Sequence, residues 1–151
     1  MIEIKVNGCS KDRELSRAIK DSAQFFIKKL MPRKKRLKIT IQLIHGLLEK
    51  ESILGDCIVE DFAVRNRHYE FTIRIDFTPE NKHAMITTLA HEMSHVKQYS
   101  SGRLYHFNGS GNISIWEGTK FDSDIVPYDE LPWEIDALAN EKALMSIYSY
   151  K

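Results

Sequence analysis

Alternation opens the chain. Ile2, Ile4 and Val6 are separated by Glu3 and Lys5, a period of two that predicts a short strand over 1–6 before Asn7-Gly8 breaks it. From Ser10 or Asp12, both fitting helix caps, the period changes. Leu15, Ile19, Ala23, Phe26 and Leu30 recur at helical spacing to Met31, and Pro32 ends the segment. Residues 37–44 alternate cleanly and predict a half-buried strand, and residues 57–64 predict a weaker one. Over 68–77, Tyr69, Phe71, Ile73, Ile75 and Phe77 fall on one face. Thr78-Pro79-Glu80 has the form of a helix start, with Thr78 as cap and Pro79 in the first helical position. Ile86, Leu89, Ala90, Met93 and Val96 carry that helix to about Ser100, with Gly102 placed to stop it. Residues 101–111 read as loop, 112–121 as a strand or hairpin arm, and 132–148 as a last helix. The expected fold is α+β, one domain over 1–151 without repeats or linkers.

Composition narrows the class without naming a function. The chain has 151 residues, 42% hydrophobic and 28% charged, which fits one globular core and excludes a disordered or collagen-like chain. No apolar run approaches the ~18 residues of a membrane span, and the first residues lack a secretory apolar region, so no membrane association is expected. Cys9 and Cys57 have neither paired nor framework spacing, which suggests free thiols and a cytoplasmic setting. The net charge of +1 hides an asymmetry: residues 1–50 carry 13 basic and 5 acidic side chains, the remainder 9 and 16. Much of the excess lies in 28–38, which has the charge of a nucleic-acid footprint. Its plainer reading is a solvated helix end and loop, and no nucleic-acid-binding motif accompanies it.

The chemistry concentrates in Thr88-Leu-Ala-His91-Glu92-Met-Ser-His95-Val96, a His-Glu-x-x-His pattern inside a predicted helix. Residues four apart lie one turn along the same helix face, so His91 and His95 can reach one metal ion. Glu92 lies ~100° round the helix, able to contact a water without ligating. Two neutral imidazoles and a third protein ligand leave a position for water on Zn²⁺. The metal acidifies that water and a carboxylate takes its proton, which makes Glu92 the expected general base.

The third ligand is open at this level. Gln98 and Ser101 stand where a metzincin has Gly and His, which excludes that class. His106, Glu117, Asp122, Asp124, Asp129, Glu130, Glu134, Asp136 and Glu141 are the downstream candidates. Glu134 stands out because it lies in the first turn of the last helix, a rigid place for a ligand. A glutamate there also suits the helix dipole without any metal. Asp136 is placed to orient a ligating histidine from behind, or to serve as another helix-start carboxylate.

The stretch His91-Glu-Met-Ser-His95-Val-Lys-Gln-Tyr99, then Trp116-Glu-Gly118, then Tyr128 and Leu131-Pro-Trp-Glu-Ile-Asp-Ala137, resembles compact zincin-like metallopeptidases of the gluzincin type from bacteria and phages. The resemblance covers about 70–145. It implies His91, His95 and Glu134 as zinc ligands and Glu92 as base. It also implies a minimal zincin-like fold: a small twisted mixed sheet packed on the active-site helix, with an N-terminal helix and a C-terminal helix bearing the third ligand. Lys97 departs from that family's apolar preference, and the chain has no room for the second domain that usually walls the cleft. A polypeptide substrate would then add as a strand at a sheet edge. An oxyanion stabiliser is expected beside the metal, with Tyr128 as candidate and Tyr105 or His106 as rivals.

The expected function is a zinc-dependent metallopeptidase, in the host cytoplasm if phage-encoded. One alternative is a SprT-like, nucleic-acid-associated protease tethered through 28–38, which would favour His106 as third ligand. The other is a non-catalytic, zinc-stabilised binding module of a phage.

Overall fold

The computed structural model describes residues 1–61, 67–106 and 112–148. Its alternating segments build a four-stranded sheet from β1 (Ile2–Asn7), β2 (Leu37–Ile44), β3 (Gly55–Val59) and β4 (Glu70–Asp76), in the order β1-β2-β4-β3. β1, β2 and β4 are parallel, and β3 runs antiparallel along β4 as an outer strand. Parallel neighbours require a long crossover, and α1 (Arg13–Leu30) supplies the first. The register keeps the apolar rows in line, with Ile4 opposite Ile39, Ile39 opposite Phe71, and Ile41 opposite Ile73.

That face is covered by α1 and by α3 (Lys82–Ser100). Ile19 and Phe26 of α1, Ile39, Ile41, Phe71 and Ile73 of the sheet, and Ile86 and Leu89 of α3 are fully buried in one cluster. Each such side chain contributes roughly 1.5–3 kcal/mol of burial, so this cluster sets where α3 lies. The fold is α+β, as the periodicities predict.

The element boundaries depart from expectation in ways that have local causes. The α3 cap is not Thr78. The Thr78 hydroxyl donates back to the Asp76 carbonyl (3.1 Å), and Pro79-Glu80 form a turn closed by the Asn81 N–H on the Thr78 carbonyl (2.9 Å). Asn81 is the cap, its side chain accepting from the Ala84 N–H at 3.0 Å. The strand expected over 57–64 starts earlier and ends at Val59; residues 62–66 lie outside the described residues. A five-residue helix, α2 (Leu47–Glu51), is too short for any periodicity to announce.

The stretch expected as loop after Ser100 holds a strand, β5 (Leu104–His106), while 107–111 lies outside the described residues. It joins β6 (Ile113–Trp116) and β7 (Thr119–Asp122) in a second, antiparallel sheet. The β6–β7 turn is Glu117-Gly118, both with positive φ (48° and 88°), the two-residue hairpin geometry that glycine eases. Leu104 is buried with Leu131 and Trp133, which fixes a strand too short to read from alternation. After a 3-10 turn at Tyr128–Glu130 comes α4 (Pro132–Ile147), begun by Pro132, whose missing N–H costs nothing there. Its Trp133, Ala137 and Leu144 form a buried stripe at helical spacing. Among the described residues no helix is long and apolar enough to cross a membrane.

Candidate metal centre

α3 is enclosed on nearly every side, and its buried residues include Glu92, His95 and Gln98 beside the apolar ones. A helix buried all round has to pair whatever polar groups it carries. Here α4 pairs Ser94, His95 and Gln98. His91 Nε2 lies 3.0 Å from Glu134 Oε1, and His95 Nε2 lies 3.2 Å from Glu134 Oε2. One metal-capable atom from each of His91, His95 and Glu134 lies within 4.8 Å of the others. The two imidazoles stand nearly perpendicular, at 77°, with centroids 5.1 Å apart.

The far nitrogen of each ring also has a partner. Glu141, two turns beyond Glu134 on α4, places Oε1 3.2 Å from His91 Nδ1. Gln98 places its carbonyl oxygen 2.8 Å from His95 Nδ1. Both Nε2 atoms therefore converge on the Glu134 carboxylate, and both Nδ1 atoms are held from behind. Two imidazoles and one carboxylate are a donor set that zinc accepts, and the three converge closely enough to hold a metal ion.

Glu92 lies near the same three side chains but is not one of the converging group. It is buried, and β3 approaches it closely because residue 55 is glycine. A Cβ built on Gly55 would meet the Arg74 carbonyl oxygen and Thr88 Cγ2, each at 2.7 Å, and Glu92 Cγ at 3.6 Å. A cleft of about 550 Å³ opens there, lined by Leu48, Leu54, Gly55, Glu92, Tyr128 and Leu138 among others. A larger concavity of about 690 Å³ lies elsewhere, between α1 and β1, and touches none of these groups.

Burial and charge set the protonation of the cluster. Burial opposes charge on His95, but the bond to Glu134 and its negative charge outweigh that and lift the ring to about 9. His91 follows the same balance and is also raised. Burial likewise opposes ionisation of Glu134, yet its bonds to the two imidazoles hold it far below the usual carboxylate range. Glu92 goes the other way. Burial raises it to about 7, against the pull of both histidines, which is the range of a group that takes and returns protons near neutrality. The Tyr128 hydroxyl donates to Glu134 Oε1 across 2.7 Å, and burial together with that carboxylate raises its pKa.

The remaining candidates sit apart. His106 Nδ1 is 2.8 Å from the Ser114 hydroxyl across the hairpin and is not in the converging group. Glu117 accepts from Arg103, and Asp124 from Asn112. Asp136 touches neither histidine; it accepts from the Gln98 amide at 2.9 Å, so any influence on His95 passes through Gln98. In the basic stretch, four cations have internal partners, the first being Lys29, 5.6 Å over the Phe25 ring. Lys34 donates to the Ser100 carbonyl (3.0 Å), Arg36 lies 3.8 Å over the Tyr69 ring, and Lys38 is 3.9 Å from Glu70.

Sequence reasoning passed over Gln98 as a supporting residue. Its signal was its spacing, since three residues after His95 is the same helix face. Glu141 was one of many downstream acids, and only the packing of α4 on α3 singles it out. No family model matches the chain, and it matches no curated protein and no solved structure.

Proposed function

We propose that the protein is a zinc-dependent metallopeptidase of compact gluzincin type, with His91, His95 and Glu134 as zinc ligands. The reading rests on one observation: two imidazoles of a His-Glu-x-x-His helix and a carboxylate from the next helix converge within 4.8 Å. Bound zinc would supply a Lewis acid that acidifies water and polarises a peptide carbonyl.

The chain's own residues do the rest. Glu92 takes the proton of the attacking water as its oxygen bonds to the carbonyl carbon. It returns that proton to the amide nitrogen as the C–N bond breaks. Its buried position beside two imidazoles suits both halves of this cycle. Tyr128 supplies an O–H donor for the carbonyl oxygen as negative charge builds on it. β3, an outer strand beside Glu92, offers a backbone edge on which an extended polypeptide can lie.

The test combines metal content with turnover. Purified protein supplied with zinc should hold one ion per chain and cleave an unfolded protein substrate. Glu92→Gln should keep the ion and lose cleavage, while His91→Ala should lose both. Undiminished cleavage by Glu92→Gln, or no zinc in the native chain, would overturn the reading. The internal partners of Lys29, Lys34, Arg36 and Lys38 give the nucleic-acid alternative no further support.

A further inference from the structure

Gln98 is fully buried on α3, three residues after His95 and on its side of the helix. Its amide nitrogen donates twice, to the Trp133 carbonyl (2.9 Å) and to Asp136 Oδ2 (2.9 Å). Neither partner has a hydrogen to give. Turning the amide over would set its oxygen against two oxygens in a buried place, so the orientation is determined by the partners. Asp136 is held in turn by the Asn140 amide (3.3 Å), whose nitrogen also donates to the Ser94 hydroxyl (2.8 Å).

The Gln98 oxygen is thereby fixed 2.8 Å from His95 Nδ1, and an amide oxygen can only accept. Nδ1 must carry the hydrogen. A neutral imidazole with its hydrogen on Nδ1 has its lone pair on Nε2, and Nε2 is the atom facing Glu134. We propose that Gln98 is a positioning residue that selects the Nδ1–H tautomer of His95, so that Nε2 is the nitrogen presented to the metal. This rests on the zinc-site reading above and extends it to a residue that touches no metal.

The choice of an amide has a chemical reason. A carboxylate at this position would set the same tautomer, but it would face the Trp133 carbonyl and Asp136 without a hydrogen to offer either. It would also add a negative charge beside Glu134. Glutamine holds the ring, satisfies both oxygens of α4 and leaves the charge of the ligand set unchanged. It thus ties the orientation of His95 to the seating of the α4 helix that carries Glu134.

The experiment is a long-range ¹⁵N–¹H correlation spectrum of the zinc-loaded native chain, with zinc binding measured in parallel by chelator competition. The expected spectrum has His95 protonated at Nδ1 and zinc-shifted at Nε2. Gln98→Met should retain the native circular dichroism, lose the single His95 tautomer and bind zinc roughly 10- to 100-fold more weakly. Zinc binding by the native chain through His95 Nδ1 would overturn the assignment to Gln98 and leave the metal site standing. Failure of the native chain to bind zinc would overturn both. The native spectrum can still overturn the assignment if Gln98→Met does not fold.

Discussion

The Tyr128 hydroxyl and the His91 imidazole share one acceptor, Glu134 Oε1, at 2.7 and 3.0 Å. The tyrosine is largely exposed and sits on the 3-10 turn just before α4, so its ring can leave the carboxylate without disturbing the core. Tyr128→Phe should leave zinc affinity and melting temperature nearly unchanged. It should lower kcat by about 100-fold, the usual cost of losing one oxyanion donor. Steady-state kinetics on a fluorogenic peptide checks this, and an unaltered kcat would remove Tyr128 from the chemistry.

The metal-free chain should be most stable in mildly acidic solution. The His95 ring is raised from 6.5 to about 9, so its contribution is fully present below about pH 6.5 and is lost as pH rises through about 9. Glu134 is depressed, so its contribution is present above about pH 4.5 and is lost as pH falls below that. Melting temperature with a chelator present should therefore fall between pH 6.5 and 9. Zinc should reverse that trend, because it displaces the proton that the ring otherwise keeps.

Glu141 should matter less than Gln98. It reaches His91 Nδ1 at 3.2 Å from a side chain that is 21% exposed, where water can take its place. Glu141→Ala should weaken zinc binding by no more than about 10-fold, the lower end of such losses. Competition with a chromophoric chelator measures it; a loss larger than that of Gln98→Met would reverse that order.

Gly55→Ala should destabilise the fold by roughly 1–3 kcal/mol, the range for overpacking. Its methyl group would press on the Arg74 carbonyl and on Thr88, and β3 would have to move off α3. Urea unfolding gives the stability change. KM for a peptide should rise as well, since the displaced strand borders the cleft at Glu92.

Legibility in the sequence followed how local the cause was. β2 appears at 37–44 because four apolar residues alternate with four others, a pattern carried by the segment itself. The position of His91, Glu92 and His95 on a helix was equally local. The start of α3 was misplaced because Thr78 spends its hydroxyl on Asp76, a choice that Thr-Pro-Glu does not disclose. β5 exists because Leu104 finds Leu131 and Trp133, residues far along the chain. Glu134 could be singled out by its helix position and Gln98 by its spacing from His95, but Glu141 owes its role to how α4 lies on α3. Tertiary packing of that kind leaves no periodic trace.

His91 and Glu134 are separated by 43 positions, and the entire β5-β6-β7 sheet is threaded between them. Closing so long a loop has an entropic cost that local helix formation does not repay. Helix α3 alone carries two of the three proposed ligands, and the third comes within reach only once α4 has docked. A nascent or nicked chain ending before residue 134 would carry the motif intact and still lack the centre. Metal capture at the proposed centre would therefore report the docking of α4, and the ion would act as a clasp between α3 and α4.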